Sequence, residues 1–228
     1  MRFPFLLALA LAVAAPAFAE TPTPTISVTG TGEVSAAPDM AVITLGVEEQ
    51  AEAAREAMDR ASAAAGAILA RLEEMGVAAR DVQTSDLSLG PVWSQPERDA
   101  PREITGYAAR NQVTVRVRDL DALGGILDAV LEDGANRFGG LGFSLEDPSE
   151  PMAAARAAAV RDAMSRAAQL AEAADVALGP LQSLSEQGGG QPRPMMMEAA
   201  RMASDSVPVA AGELTFRVTV SAVFRIDE

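Results

Sequence analysis

Five alanines constrain this chain more than any other feature. Ala155, Ala159, Ala163, Ala167 and Ala171 recur every four residues through "SEPMAAARAAAVRDAMSRAAQLAEAAD". That step marks one face of an α-helix, and alanine is the strongest helix former. A face made only of methyl groups is narrow, so it suits close approach to a sheet or to another helix. The spacing predicts a helix over 150–175, capped by Ser149, with Pro151 in the first turn where backbone N–H groups lack helical partners. Asp147 and Glu150 suit its positive end. Whether the alanine face meets its own chain or a neighbouring subunit is open at this level.

Two other helices share the pattern. Over 51–75, Ala54, Ala57, Met58, Ala61, Ala65, Ile68, Leu72 and Met75 fall at three- and four-residue steps, and Gly76 follows as a C-terminal stop. Arg55–Asp59 and Glu56–Arg60 read as a solvated outer face. Asp119 reads as the cap of a helix over "LDALGGILDAVLED", which Gly134 ends; Gly124 and Gly125 inside it predict close packing on a sheet.

Period-two alternation marks the strands. "ISVTGTGEVSAAPDMAVITLGVEEQ" reads as two, turned at Pro38-Asp39, with Gly30 and Gly32 marking a bulge or a close backbone approach. "DVQTSDLSLGPVW" closes at Pro91. In "ITGYAARNQVTVRVRD", Val113, Val115 and Val117 face one side and Thr114, Arg116 and Arg118 the other. "LGPLQSLSEQ" and the terminal "ELTFRVTVSAVFRI" complete the set. The order is β-β-α-β-β-α-β-α-β-β, an α+β fold with a mostly antiparallel sheet covered by long Ala-rich helices. "MGVAARDVQTSDLSLGP" and "ADVALGPLQSLSEQ" echo one another too loosely to count as a repeat.

The ends are distinct. Arg2, the apolar run Phe3–Ala15 and Ala17-Phe18-Ala19 form a secretory signal peptide over 1–19, with cleavage after Ala19. Residues 20–25 read as a mobile leader. A single domain spans 26–228, with a flexible Gly-, Pro- and Met-rich loop at 188–212. No later run reaches the ~18 apolar residues of a membrane span.

Composition removes much chemistry. The chain contains no Cys, His or Lys, so disulfides, Cys–His and Ser–His–Asp triads, Schiff bases and P-loops are absent. No cofactor is expected. The net charge of −14 opposes nucleic acid and anionic lipid alike.

Four candidate sites remain. The first is "DGANRFGGLGFSLEDP", where Asn136, Arg137, Gly139 and Gly140 read either as a ligand loop or as a polar turn and bulged strand, the second fitting its context better. Met195, Met196, Met197 and Met202 form a thioether cluster that could take Cu(I) or oxidants. Glu146, Asp147 and Glu150 could supply a hydrolytic carboxylate pair, though capping explains them. Trp93 and Tyr107 flank a Pro-rich loop and could line a groove.

Read together, "ISVTGTGEVSAAPDMAVITLGVE", "DVQTSDLSL", "GYAARNQVTVRVRDLDALGGILDAVLEDGANRFGGLGFSLEDP" and "GELTFRVTVSAVFRI" resemble the SIMPL-domain family. The resemblance implies an exported bacterial protein of the periplasm or envelope, with peripheral envelope association left open. It implies an α+β domain, self-association in some members, including ring-like assemblies, and links to oxidative-stress tolerance. It supplies no catalytic motif. The expectation is a non-enzymatic, self-associating homo-oligomer, with a Met-dependent Cu(I) or oxidant-handling protein as the alternative.

Overall fold

The computed structural model describes residues 23–95, 101–187, 193–195 and 209–227. The element order is β1 (Thr25–Ala36), β2 (Met40–Ala51), α1 (Ala54–Glu74), a 3-10 turn (Ala79–Asp81), β3 (Val82–Trp93), β4 (Ile104–Val117), α2 (Leu123–Glu132), β5 (Arg137–Ser144), α3 (Ser149–Ala173), β6 (Ala177–Gln187), β7 (Arg193–Met195) and β8 (Glu213–Asp227). The α+β class and the order of elements match the sequence reading. The strands, however, divide between two antiparallel sheets. One has the order β1-β8-β6, with β7 also paired to β8; the other has the order β3-β4-β2-β5. β1 and β2 are adjacent in sequence yet belong to different sheets, parting at Pro38-Asp39.

Each sheet carries helices on one face only. Beneath α1 and α2, β2 and β4 present Ile43, Leu45, Val47, Val113 and Val115 to Ile68, Leu72, Leu123 and Ile126. Beneath α3, β8 presents Leu214, Phe216, Val218, Val220, Ala222 and Phe224. Phe143 on β5 packs against both clusters.

The alanine ladder meets its own chain. Ala155, Ala159, Ala163, Ala167 and Ala171 are all buried, and α3 lies over β1 and β8. Its partner there is the pair Gly30 and Gly32. A Cβ on Gly30 would stand 2.2 Å from the carbonyl oxygen of Ala159, and one on Gly32 2.1 Å from that of Ala155. Strand and helix backbones therefore touch, as only glycine facing alanine permits. Asp162 fixes the register by accepting the Thr31 amide at 2.8 Å.

Helix ends follow local chemistry more than named caps. Gly76 and Gly134 take positive φ (84° and 98°), and the next amide returns to the helix in each case, Val77 to Leu72 and Ala135 to Val130, both at 2.9 Å. Ser149 is the first residue of α3 and not its cap; Pro148 holds that place, and Asp147 Oδ1 accepts the Ser149 amide at 2.9 Å. Asp119 is not the cap of α2, a place Ala122 holds; it accepts the Asp121 and Ala122 amides and orders the turn before the helix. Gly125 makes no close approach: a Cβ there would meet nothing nearer than Met75 Cε at 3.9 Å.

Other expectations shift at their edges. β3 continues through Pro91 to Trp93, because an edge strand has one side on which no amide is needed. Thr25, read as part of the 20–25 leader, opens β1, and Pro24 accepts the Ile226 amide. The signal peptide over 1–19 lies outside the described residues. Within 188–212, β7 is a strand.

The sequence echo has a structural counterpart. In each sheet a long helix leads to an edge strand, which returns antiparallel to a central strand, which pairs with a third: α1-β3-β4 with β2, and α3-β6-β8 with β1. One prediction follows from α1. Gly66 is exposed in mid-helix with open space around its Cβ position. Gly66→Ala is expected to raise stability by about 0.5–1 kcal/mol in urea unfolding.

Candidate functional site

The polar turn before β5 is anchored to one residue of β2. Asn136 Oδ1 accepts the Glu48 amide at 2.7 Å, and its Nδ2 donates to the Glu48 carbonyl at 3.0 Å. The side-chain amide thus adds a rung to the β2–β5 ladder where β5 has not yet begun. The Glu48 carboxylate lies on the opposite face from the helices. Arg110, its cross-strand partner, donates to it at 2.6 Å, and Arg137 approaches at 3.4 Å. The Arg110 hydrogen bond, aided by both guanidinium charges, holds Glu48 below the usual carboxylate range against the effect of burial. Gly139 and Gly140 form the irregularity opposite Thr44 and Leu45.

A second cluster joins three separate segments. Asp81, at 4% exposure, ends the 3-10 turn before β3. Arg118, just past β4, grips it through two hydrogen bonds of 2.8 and 2.9 Å. The same guanidinium pairs with Glu146, between β5 and α3, and the Glu146 amide donates to Asp39 at 2.8 Å. The Arg118 bond lowers the Asp81 pKa despite desolvation, and its two carboxylates raise that of Arg118. The cluster borders a cleft of about 330 Å³ reached by Arg80, Arg116 and Ile126.

These arrangements favour bracing over catalysis. A carboxylate held below its ordinary range is ionised at neutral pH, so it cannot serve as an acid, and it is a weak base. Of the proposed hydrolytic residues, Glu146 pairs with Arg118, Asp147 holds the start of α3, and Glu150 lies in its first turn. Tyr107 packs against the core beneath α1, whereas Trp93 is exposed at the far end of β3. Met195 is in β7; Met196, Met197 and Met202 lie outside the described residues.

The family model described as SIMPL, protein of unknown function (DUF541), matches residues 26–224, from within β1 to within β8. The chain belongs to the SIMPL family. It is 37% identical over 207 residues to the 26 kDa periplasmic immunogenic protein of Brucella melitensis, covering 86% of this chain and 82% of that protein. The counterpart in Brucella abortus matches equally, at 37% over 207 residues. It is also 29% identical over 201 residues to the uncharacterized protein YggE of Escherichia coli K12, covering 85% and 80% of the two chains. This SIMPL chain has, among its described residues, no helix long and apolar enough to cross a membrane.

Sequence reading missed two features of this SIMPL chain. Asp81 gave no signal, because its partner Arg118 is 37 positions away and both resemble ordinary surface charges. Leu87 and Leu89 alternate as core residues do, and a register shift brings Leu181 and Leu184 opposite core residues of β8, yet all four are exposed.

Proposed function

We propose that this chain is a periplasmic, self-associating protein without catalytic activity that supports envelope or oxidative-stress tolerance. The observation that carries this reading is a division of labour among side chains. Buried and half-buried carboxylates are matched to arginines, while large apolar side chains stand uncovered along edge strands. The first pattern leaves little for acid–base chemistry, and the second favours association, since such strips mark contact surfaces. The name of the Brucella relative supports the periplasmic location.

Light scattering over a dilution series of residues 20–228 tests the assembly. A closed oligomer of fixed stoichiometry, dissociating on dilution, is the expected result. A monomer at every concentration would overturn it. The stress role is tested separately, by the peroxide survival of cells lacking the protein.

A further inference from the structure

The two edge strands that follow the long helices are bare in the same way. On β3, Leu87, Leu89 and Pro91 oppose Asn111, Ala109 and Tyr107, so they point to the face that α1 covers elsewhere. α1 sits over β4 and β2 and barely reaches β3. Leu87 (59%), Leu89 (44%) and, two residues past Pro91, Trp93 (50%) are left exposed, with Ile104 (49%) across from Trp93. On β6, Leu181 and Leu184 oppose Phe224 and Ala222, under the face that α3 covers. α3 is drawn toward β1 by its contact with Gly30 and Gly32, so Leu181 and Leu184 remain exposed. The Arg156–Glu186 pair shows which side of α3 faces β6. Val160 and Met164 follow Arg156 at four-residue steps on that side, and Met164 is exposed.

We infer that the β3 strip of one copy packs against the α3–β6 strip of a second copy of this chain. The inference rests on the self-association proposed above and names its surface. Strand addition is a poor alternative. Pro91 and Pro180 remove amides from the two edges, and both strands shift register against their partners. The strips therefore meet through side chains.

A bilayer is a poor occupant. The chain is strongly acidic, and Arg102 and Glu103 directly precede Ile104 at the start of β4. Rim charges fit the pairing: Glu73 borders the β3 groove beside Leu69 and Val82, and Arg161 stands three residues before Met164. A standard interface buries about 800 Å² per partner, more than one edge strand presents by itself. A head-to-tail contact lets every copy use both strips, and it yields a ring if the rotation closes.

Trp93 is the chain's one tryptophan, so its emission reports burial of the β3 strip directly. The full mature chain is diluted while mass and emission maximum are read together. The expected result is an oligomer with blue-shifted emission that shifts to the red as the mass falls. Leu184→Asp, on the other sheet, should raise the dissociation concentration at least tenfold and restore the red emission. Leu87→Ser should weaken assembly similarly, and circular dichroism checks that both variants fold. An oligomer with unchanged emission, or one indifferent to Leu184→Asp, overturns this surface and leaves self-association standing. A monomer throughout overturns both.

Discussion

Gly32→Val is expected to remove at least about 4 kcal/mol, a large share of the about 5–15 kcal/mol by which a domain is stable, and to lower the urea midpoint sharply. The new Cβ would lie 2.1 Å from the Ala155 carbonyl oxygen and 2.4 Å from the Ala159 nitrogen. Those atoms belong to the helix backbone and cannot step aside as a rotamer would, so α3 must lift from β1. Lifting it exposes the alanine face and the β8 residues beneath, Phe216 and Val218 among them. Ordinary overpacking costs about 1–3 kcal/mol because neighbours shift partway; here the obstacle is main chain. Gly142→Val is the control. It also places a side chain on a sheet strand, but nothing lies within 4 Å of its Cβ position. Urea unfolding of both variants settles the matter. Equal, small effects would show that α3 does not rest on Gly32.

Asp81→Asn should cost about 1–2 kcal/mol, because Arg118 loses its buried counter-charge while a third of its side chain stays in water. Glu146 remains to Arg118, which keeps the cost below that of a fully buried pair. The pH dependence identifies the cause. The folded-state pKa of Asp81 is depressed, chiefly by the Arg118 hydrogen bond, below an unfolded value of about 3.9. Its contribution is therefore complete above about pH 5 and is lost as the pH falls through about 4 toward the depressed folded value. Urea midpoints of the unsubstituted chain should fall steeply over that interval. The variant should start lower and fall less, with Glu48, Asp133, Asp147 and Asp162 supplying what acid sensitivity remains. Parallel acid limbs in the two proteins would rule out Asp81 as a major contributor.

Both predictions concern contacts across the chain, which is where sequence reading reached its limit. Periodicity located every long element. Four-residue alanine steps and two-residue valine steps are local, and local geometry imposes them whatever the partner. The glycine stops of α1 and α2 were equally readable, since positive φ at a helix end is a local demand. The alanines of α3 announced a close approach. They could not name Gly30 and Gly32, more than 120 residues earlier, as the surface approached.

At the candidate sites the division is the same. "DGANRFGG" was visibly a turn into a bulged strand, but the role of Asn136 depends on Glu48, 88 positions away. Asp81 is buried only because two other segments converge on it. Leu87 and Leu89 of β3 carry a core-like alternation, and a sequence pattern cannot tell how far a helix reaches across a sheet. The residues alone therefore specified which stretches become helix or strand and which face of each is apolar, because those follow from backbone geometry and solvation within a few residues. Tertiary packing alone decided that the strands divide between two sheets, that α3 lies off-centre over β1, and that the helices of the chain leave the leucines of β3 and β6 uncovered. Those outcomes follow from backbone contact and chain connectivity between residues that are far apart in sequence.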